Sequence, residues 1–260
     1  MPPPAQPTTP LMAPADLPPS SPADPPLQAI AMHGWAGDGS HWQPWQEAFG
    51  AQGWQWQSGE RGYGERAPAQ PDWKGGGKRV VIAHSMGAHL LNALHPQVLA
   101  DAEAVVLLAS FGRFVPHGSE GRAVRAALEG MGAALAEPTG ARAMLRRFLN
   151  EAAAPDPVEA MAPGPADGPL SPESLARLRA DLELLGQTRG LPEAFPKGVP
   201  VLIVEAGADR IVAPPVRALL REALPQAEVL EMAGAGHALL RAPILEPVLA
   251  WLARQERPWP

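Results

Sequence analysis

A serine, a histidine and an aspartate stand in this sequence where they could carry out nucleophilic acyl transfer. Ser85 lies in Val80-Val81-Ile82-Ala83-His84-Ser85-Met86-Gly87-Ala88, a run that reads as a strand, a tight turn and a helix start. Such a turn projects a serine Oγ from the end of a sheet, and the small residues Ala83 and Gly87 let neighbouring backbones approach. A helix-capping serine after a strand is the other reading of the same residues. A serine hydroxyl is a weak nucleophile at neutral pH and needs a base within hydrogen-bond reach. His237 suits that role, in the small-residue loop Ala233-Gly234-Ala235-Gly236-His237-Ala238. The base in turn needs an acid that fixes its tautomer and steadies the imidazolium. Asp209 suits this, in Gly207-Ala208-Asp209-Arg210-Ile211-Val212 after the apolar run Val201 to Ala206. Its alternative is a turn-capping role, and Asp181 is a weaker rival because it falls within a helical stretch.

The tetrahedral intermediate of acyl transfer needs two N–H groups aimed at its oxyanion. Met86, directly after the nucleophile, is one expected donor. Trp35, in the turn His33-Gly34-Trp35-Ala36-Gly37, is the other. Trp35, Trp42 and Trp45 are expected at the pocket wall, with helix packing as the alternative for the last two. His33 and His84 border these motifs and are expected to shape the pocket, whereas His41, His89, His95 and His117 read as surface or packing residues. The absence of cysteine removes thiolate nucleophiles, thiolate metal sites and disulfides. No histidine pair shows the i, i+4 spacing with glutamate of zinc hydrolases, so neither a metal nor a cofactor is expected.

These residues need strands to place them. Apolar runs bounded by turn residues read as buried strands at Gln28 to Met32, Arg79 to Ala83, Ala104 to Ala109, Pro200 to Ala206 and Glu228 to Met232. Helix-period segments lie between them, at Met86 to Leu94, Val216 to Ala223 and Ile244 to Gln255. Strand alternating with helix is the pattern of an α/β fold with a mostly parallel, doubly wound sheet. Between Gly112 and Thr188 the pattern shows only helices, at Glu120 to Ala136, Ala141 to Ala153 and Ser171 to Leu185, the last capped by Ser171. The organisation read from this is a core of residues 27–111 and 189–260, interrupted by a helical cap over 112–188. Ligands of open α/β sheets sit at the carboxyl ends of the strands, so the cap would roof the site.

The first 26 residues carry eleven of the 33 prolines. Proline fixes φ and removes backbone donors, so an extended, disordered tail is expected. The segment lacks the basic and apolar regions of a secretory signal, no run is long enough to span a bilayer, and a cytoplasmic location is expected. A net charge of −6 argues against nucleic-acid binding, which needs clustered Lys and Arg.

Taken together, His33-Gly34-Trp35 with Trp42, the Ser85 turn, the Asp209 loop and Ala235-Gly236-His237-Ala238 resemble the α/β-hydrolases, whose catalytic residues also run in the order serine, aspartate, histidine. Within them the chain is similar to the pimeloyl-acyl carrier protein methyl ester esterases of biotin synthesis (the BioH-like group). The similarity spans about Leu27 to Leu252 and includes Leu107-Leu108-Ala109-Ser110 and Arg146-Arg147-Phe148-Leu149. It implies a serine carboxylesterase that removes the methyl group from a pimeloyl thioester held on acyl carrier protein, with Trp35 and Phe148 against the acyl chain and Arg146 and Arg147 meeting the acidic carrier. Charge points the same way: Arg113, Arg122, Arg125, Arg142, Arg146 and Arg147 outnumber Glu120, Glu129 and Glu137 across the start of the cap. Two positions depart from that group, Ala83 where glycine is usual and His84 where tryptophan is frequent. The rival readings are a general carboxylesterase on small or medium acyl esters and a non-catalytic α/β-hydrolase acting as a binding module; a monomer is expected. Deletion of residues 1–26 is expected to leave the melting temperature within a few degrees of the full chain in a thermal scan, and a larger loss would make the tail part of the fold.

Overall fold

The computed structural model describes residues 27–239 and 242–255, so the proline-rich tail of residues 1–26 and the last five residues of the expected core lie outside the described residues. Six strands form one sheet: β1 (Gln28–Met32), β2 (Gln55–Gly59), β3 (Arg79–His84), β4 (Ala104–Leu108), β5 (Val201–Ala206) and β6 (Glu228–Met232). Their order is β2-β1-β3-β4-β5-β6, and all five pairings are parallel. The expected α/β architecture is therefore present.

The strands alternate strictly between two apolar cores. Ile30, Met32, Val81, Ala83, Val105, Leu107, Val201 and Ile203 face one side, where Leu90 and Leu91 of α2 (Gly87–Leu94), Val98 and Leu99 of α3 (Pro96–Ala100) and Val216 and Leu220 of α7 (Pro214–Ala223) cover them. Ala29, Ala31, Val80, Ile82, Val106, Leu202 and Val204 face the other, under Trp45 and Phe49 of α1 (Gln43–Ala51) and Val248, Trp251 and Leu252 of α8 (Leu245–Gln255). Burial on both faces explains why the central strands are continuous apolar runs.

One strand was absent from the sequence pattern. β2 carries Gln55-Trp56-Gln57-Ser58-Gly59 and pairs only with β1, with most of its side chains part-exposed. An edge strand buries less, so polar residues interrupt its run and erase the signal. The short helices α1 and α3 were likewise not expected. Trp45 and Phe49 in α1 stack at 6.0 Å, with Trp42 edge-on to Trp45 at 5.8 Å, so these tryptophans pack a helix onto the sheet, and both also line the cavity beside Ser85, as expected.

Between β4 and β5 the described chain forms α4 (Gly118–Ala134), α5 (Pro138–Ala153) and α6 (Pro172–Gln187), with no strand. The Ser171 hydroxyl accepts the Ser174 N–H at 3.1 Å and caps α6 as expected. Several polar links join α6 to the sheet's loops, among them the Arg177 guanidinium donating to the Gly62 carbonyl at 3.0 Å. The Trp35 Nε1–H donates to the Leu178 carbonyl at 2.8 Å. Asp181, the rival acid of the sequence reading, is buried and accepts from Arg61 Nε at 2.6 Å, Arg61 Nη2 at 3.2 Å and the Tyr63 hydroxyl at 2.8 Å. Its carboxylate is thus spent on holding the loop after β2. Burial, and next the Asp181 charge, push the Tyr63 hydroxyl well above the usual tyrosine range.

Removing one partner of a buried ion pair strands the other charge away from water. Arg61→Met is expected to lower unfolding free energy by about 2–4 kcal/mol, a little below the usual penalty because the guanidinium is partly exposed. Urea unfolding measures this, and a loss under about 0.5 kcal/mol would mean that the pair does not anchor α6.

Candidate active site

The strand order reverses direction between β1 and β3, and a crevice opens there at the strands' carboxyl ends. His33-Gly34-Trp35 leaves β1 and Ser85 leaves β3 at this point. Ser85 has φ +53°, a left-handed conformation that costs a non-glycine residue about 1–3 kcal/mol. Two hydrogen bonds hold it: the Ser85 N–H donates to the Leu108 carbonyl at 2.8 Å, and the Ser110 hydroxyl donates to the Ser85 carbonyl at 2.6 Å. Gly87 permits the turn, because a Cβ there would lie 2.4 Å from the Met32 carbonyl oxygen. The departure at Ala83 is absorbed in the same place: its methyl group would be 3.3 Å from that missing Cβ and is fully buried.

The three residues singled out by type and spacing converge. The Ser85 hydroxyl donates to His237 Nε2 at 3.0 Å, and His237 Nδ1–H donates to Asp209 Oδ2 at 2.9 Å. These bonds fix the tautomer of His237 with its lone pair toward Ser85. Asp209 also does what its alternative reading held, since its Oδ1 accepts the N–H groups of Ile211 at 2.7 Å and Val212 at 2.9 Å. Burial works to raise the Asp209 pKa, but the His237 charge and hydrogen bond together with the two backbone N–H groups outweigh it, so the carboxyl lies below its usual range. The Asp209 and His237 loops are tied directly: the Gly207 N–H donates to Met232 O and the Ala208 N–H to Ala235 O, both at 2.9 Å.

The Gly34 backbone packs on the serine, for a Cβ at Gly34 would meet Ser85 Cβ at 2.8 Å and Oγ at 3.3 Å. His33 holds this turn: its Nδ1–H donates to Gly34 O at 2.8 Å and its Nε2 accepts the Arg61 N–H at 3.1 Å. Among the described residues the backbone N–H groups of Trp35 and Met86 are engaged in no hydrogen bond. A cavity of about 1180 Å³ opens beside Ser85 and His237, walled by Trp35, Phe148, Leu149 and Met161 among others. The Trp35 and Phe148 rings meet edge-on at 5.0 Å.

Other expectations fare unevenly. Arg146 and Arg147 are exposed on α5 and line no part of the cavity, because the helix turns Phe148 and Leu149 inward and the arginines out. His41, read as an ordinary packing or surface residue, is on the cavity wall, and burial holds its pKa down against the pull of Asp38. His89 does pack, stacked on Phe111 at 5.4 Å. Ser110 stands in the sequence only as part of the run that carries the resemblance, with no role of its own, because a serine after a strand has no distinguishing pattern and only the fold brings it to the Ser85 carbonyl. Likewise the bond from His84 Nε2–H to the His237 carbonyl, 2.9 Å, spans 153 positions of sequence.

Solved structures share this architecture at low sequence identity. An esterase from Exiguobacterium antarcticum superposes with a TM-score of 0.64 at 16% identity, covering 87% of this chain and 92% of that one. A thermophilic esterase from Thermogutta terrifontis gives 0.57 at 17% identity, over 88% and 90% of the two chains. The enol-lactonase from Burkholderia xenovorans gives 0.56 at 16% identity, over 88% and 91%. No curated protein matches the sequence significantly. The convergence of Ser85, Asp209 and His237 at a parallel sheet's switch point agrees with the sequence profile that residues 33–250 match, and the chain belongs to the alpha/beta hydrolase family.

Proposed function

We propose that this chain is a serine carboxylesterase, and the observation that carries the reading is the unbroken Ser85–His237–Asp209 hydrogen-bond chain opening into an apolar-walled cavity. Ser85 Oγ attacks the ester carbonyl carbon while His237 Nε2 takes its proton. The Trp35 and Met86 N–H groups receive the oxyanion. His237 then returns the proton to the leaving alcohol oxygen, and the C–O bond breaks to leave an acyl-enzyme. Water attacks that intermediate with His237 again as base, and the acid departs as Ser85 recovers its proton. The helical segment over residues 112–188 serves as a cap, its α5 side chains Phe148 and Leu149 forming one wall of the acyl site.

The substrate reading is the methyl ester of pimeloyl-acyl carrier protein, in the cytoplasm, as part of biotin synthesis. Support comes from the sequence similarity and from exposed Arg122, Arg125, Arg142, Arg146 and Arg147 on α4 and α5, set among exposed Glu120, Glu129, Glu137 and Glu151 on an acidic protein. Such arginines raise the encounter rate with an acidic carrier more than the affinity. Arg142, Arg146 and Arg147 lie on α5, the same helix that presents Phe148 and Leu149 to the cavity. A general carboxylesterase acting on small or medium acyl esters is the second reading, favoured by the size and apolar walls of the cavity.

A fluorophosphonate probe is expected to label Ser85, and Ser85→Ala to abolish both labelling and ester turnover while the far-ultraviolet spectrum is kept. Retained turnover would remove Ser85 from the mechanism, and absence of label on the wild type would favour a binding module. Asp209→Asn is expected to lower kcat by roughly 10⁴-fold, because the wrong tautomer of His237 would face Ser85. The native-state pKa of Asp209 lies below the ordinary 3.8, so its carboxylate contributes stability above that pH and loses it as pH falls through the native value. The stability gap between wild type and Asp209→Asn should therefore hold at neutral pH and close in strong acid, as read from denaturant midpoints. For the carrier, Arg146→Glu with Arg147→Glu is expected to lower kcat/KM on the carrier-bound ester at least about tenfold. Turnover of free methyl pimelate should stay unchanged, and equal effects on both substrates would favour the general esterase.

A further inference from the structure

We propose that His84 is a positioning residue for the general base, holding the His237 carbonyl through its Nε2–H and thereby fixing the loop that presents the His237 ring to Ser85. The inference rests on the assignment of His237 as that base.

The loop needs such a hold. Residues 233–236 and 238 are all alanine or glycine, so no long side chain of its own pins the segment to the core. Backbone contacts have to do so. On one side the Ala238 N–H donates to the Ala152 carbonyl at the end of α5, 2.9 Å away. On the other the His237 carbonyl accepts from His84 Nε2–H at 2.9 Å. The peptide that follows the base is thus held at both its polar groups, from two different elements.

His84 is well placed for this. It is the last residue of β3, in register with Leu108 of β4, and precedes the serine itself. Nucleophile and base loop are therefore referred to the same rigid strand end. The two imidazoles lie 5.1 Å apart between ring centroids at an interplanar angle of 49°, so the His84 ring also backs the His237 ring. Burial, and next the nearby His237 charge, push the His84 pKa down to about 3, which leaves it neutral. A neutral ring can donate from Nε2 without setting a second positive charge beside the imidazolium formed during catalysis.

Full-length His84→Gln, His84→Asn and His84→Leu variants test this against the wild type. A glutamine amide reaches about as far as the histidine Nε2, whereas an asparagine amide stops short and leucine has no donor. Gln is expected to keep kcat within about threefold, while Asn and Leu lose roughly 10- to 100-fold in kcat with KM little changed, the cost of a slightly displaced base. Equal kcat in all three variants, or a Gln variant as impaired as Asn, would overturn the proposal. The low-field proton signal of His237 Nδ1–H provides a readout that needs no substrate: it should persist in Gln and broaden or shift in Asn and Leu. If the wild type turns over no ester, the esterase reading falls, yet this signal still decides His84. An unchanged signal in Asn would overturn the positioning role. Should Leu fail to fold, the Gln and Asn pair carries the comparison.

Discussion

A hydroxyl of serine becomes a nucleophile only with a base at hydrogen-bond distance, and the 3.0 Å bond from Ser85 to His237, on which the proposed mechanism depends, sets the terms for the structure around it. The bond requires Oγ to project from the end of β3, which forces Ser85 to φ +53°. That strain, about 1–3 kcal/mol, is of the same size as the two hydrogen bonds that hold the residue, each contributing about 0.5–1.5 kcal/mol. One comes from Leu108 at the end of β4 and the other from Ser110 just beyond it. The turn is thus fixed by the neighbouring strand rather than by its own sequence alone. Close packing does the rest, since the Met32 carbonyl and the Ser85 side chain occupy space that a Cβ at Gly87 or Gly34 would fill.

Acid and base follow from the same parallel geometry. β5 and β6 are adjacent, so their carboxyl-end loops leave side by side and exchange backbone hydrogen bonds before either reaches the site. Asp209 divides its two oxygens between its own loop and His237, which explains how a turn-capping residue and the proposed orienter of the base can be one group. Its lowered pKa is the electrostatic expression of that arrangement.

The helices between β4 and β5 are bound to the core by polar links as well as by apolar packing. Asp181 gathers Arg61 and Tyr63, and Leu178 takes the Trp35 indole N–H. Trp35 therefore joins two functions: its backbone borders the serine while its ring, edge-on to Phe148, shapes the cavity. Any movement of α6 would be felt at the turn that faces Ser85. The proposed substrate preference and the proposed oxyanion donors share this one residue.

The sequence by itself determined the α/β class and five of the six strands, and it singled out Ser85, Asp209 and His237, which the fold brings into hydrogen-bond contact. Continuous apolar runs mark strands buried on both faces, and reactive side chains stand out when small residues flank them at strand ends. It left β2 unread, because an edge strand needs few apolar residues, and α1 was legible only as a cluster of tryptophans. The sequence favoured Asp209 over Asp181, and the tertiary structure shows what each of them meets. Asp181 and Asp209 are both buried acids, and only the fold shows one beside Arg61 and the other beside His237. It also decided that Arg146 and Arg147 face solvent while Phe148 faces the cavity, and that His84 and Ser110 support Ser85 and His237. These are long-range contacts between polar groups, and no local periodicity encodes them; they exist because parallel strands bring distant loops to one end of the sheet.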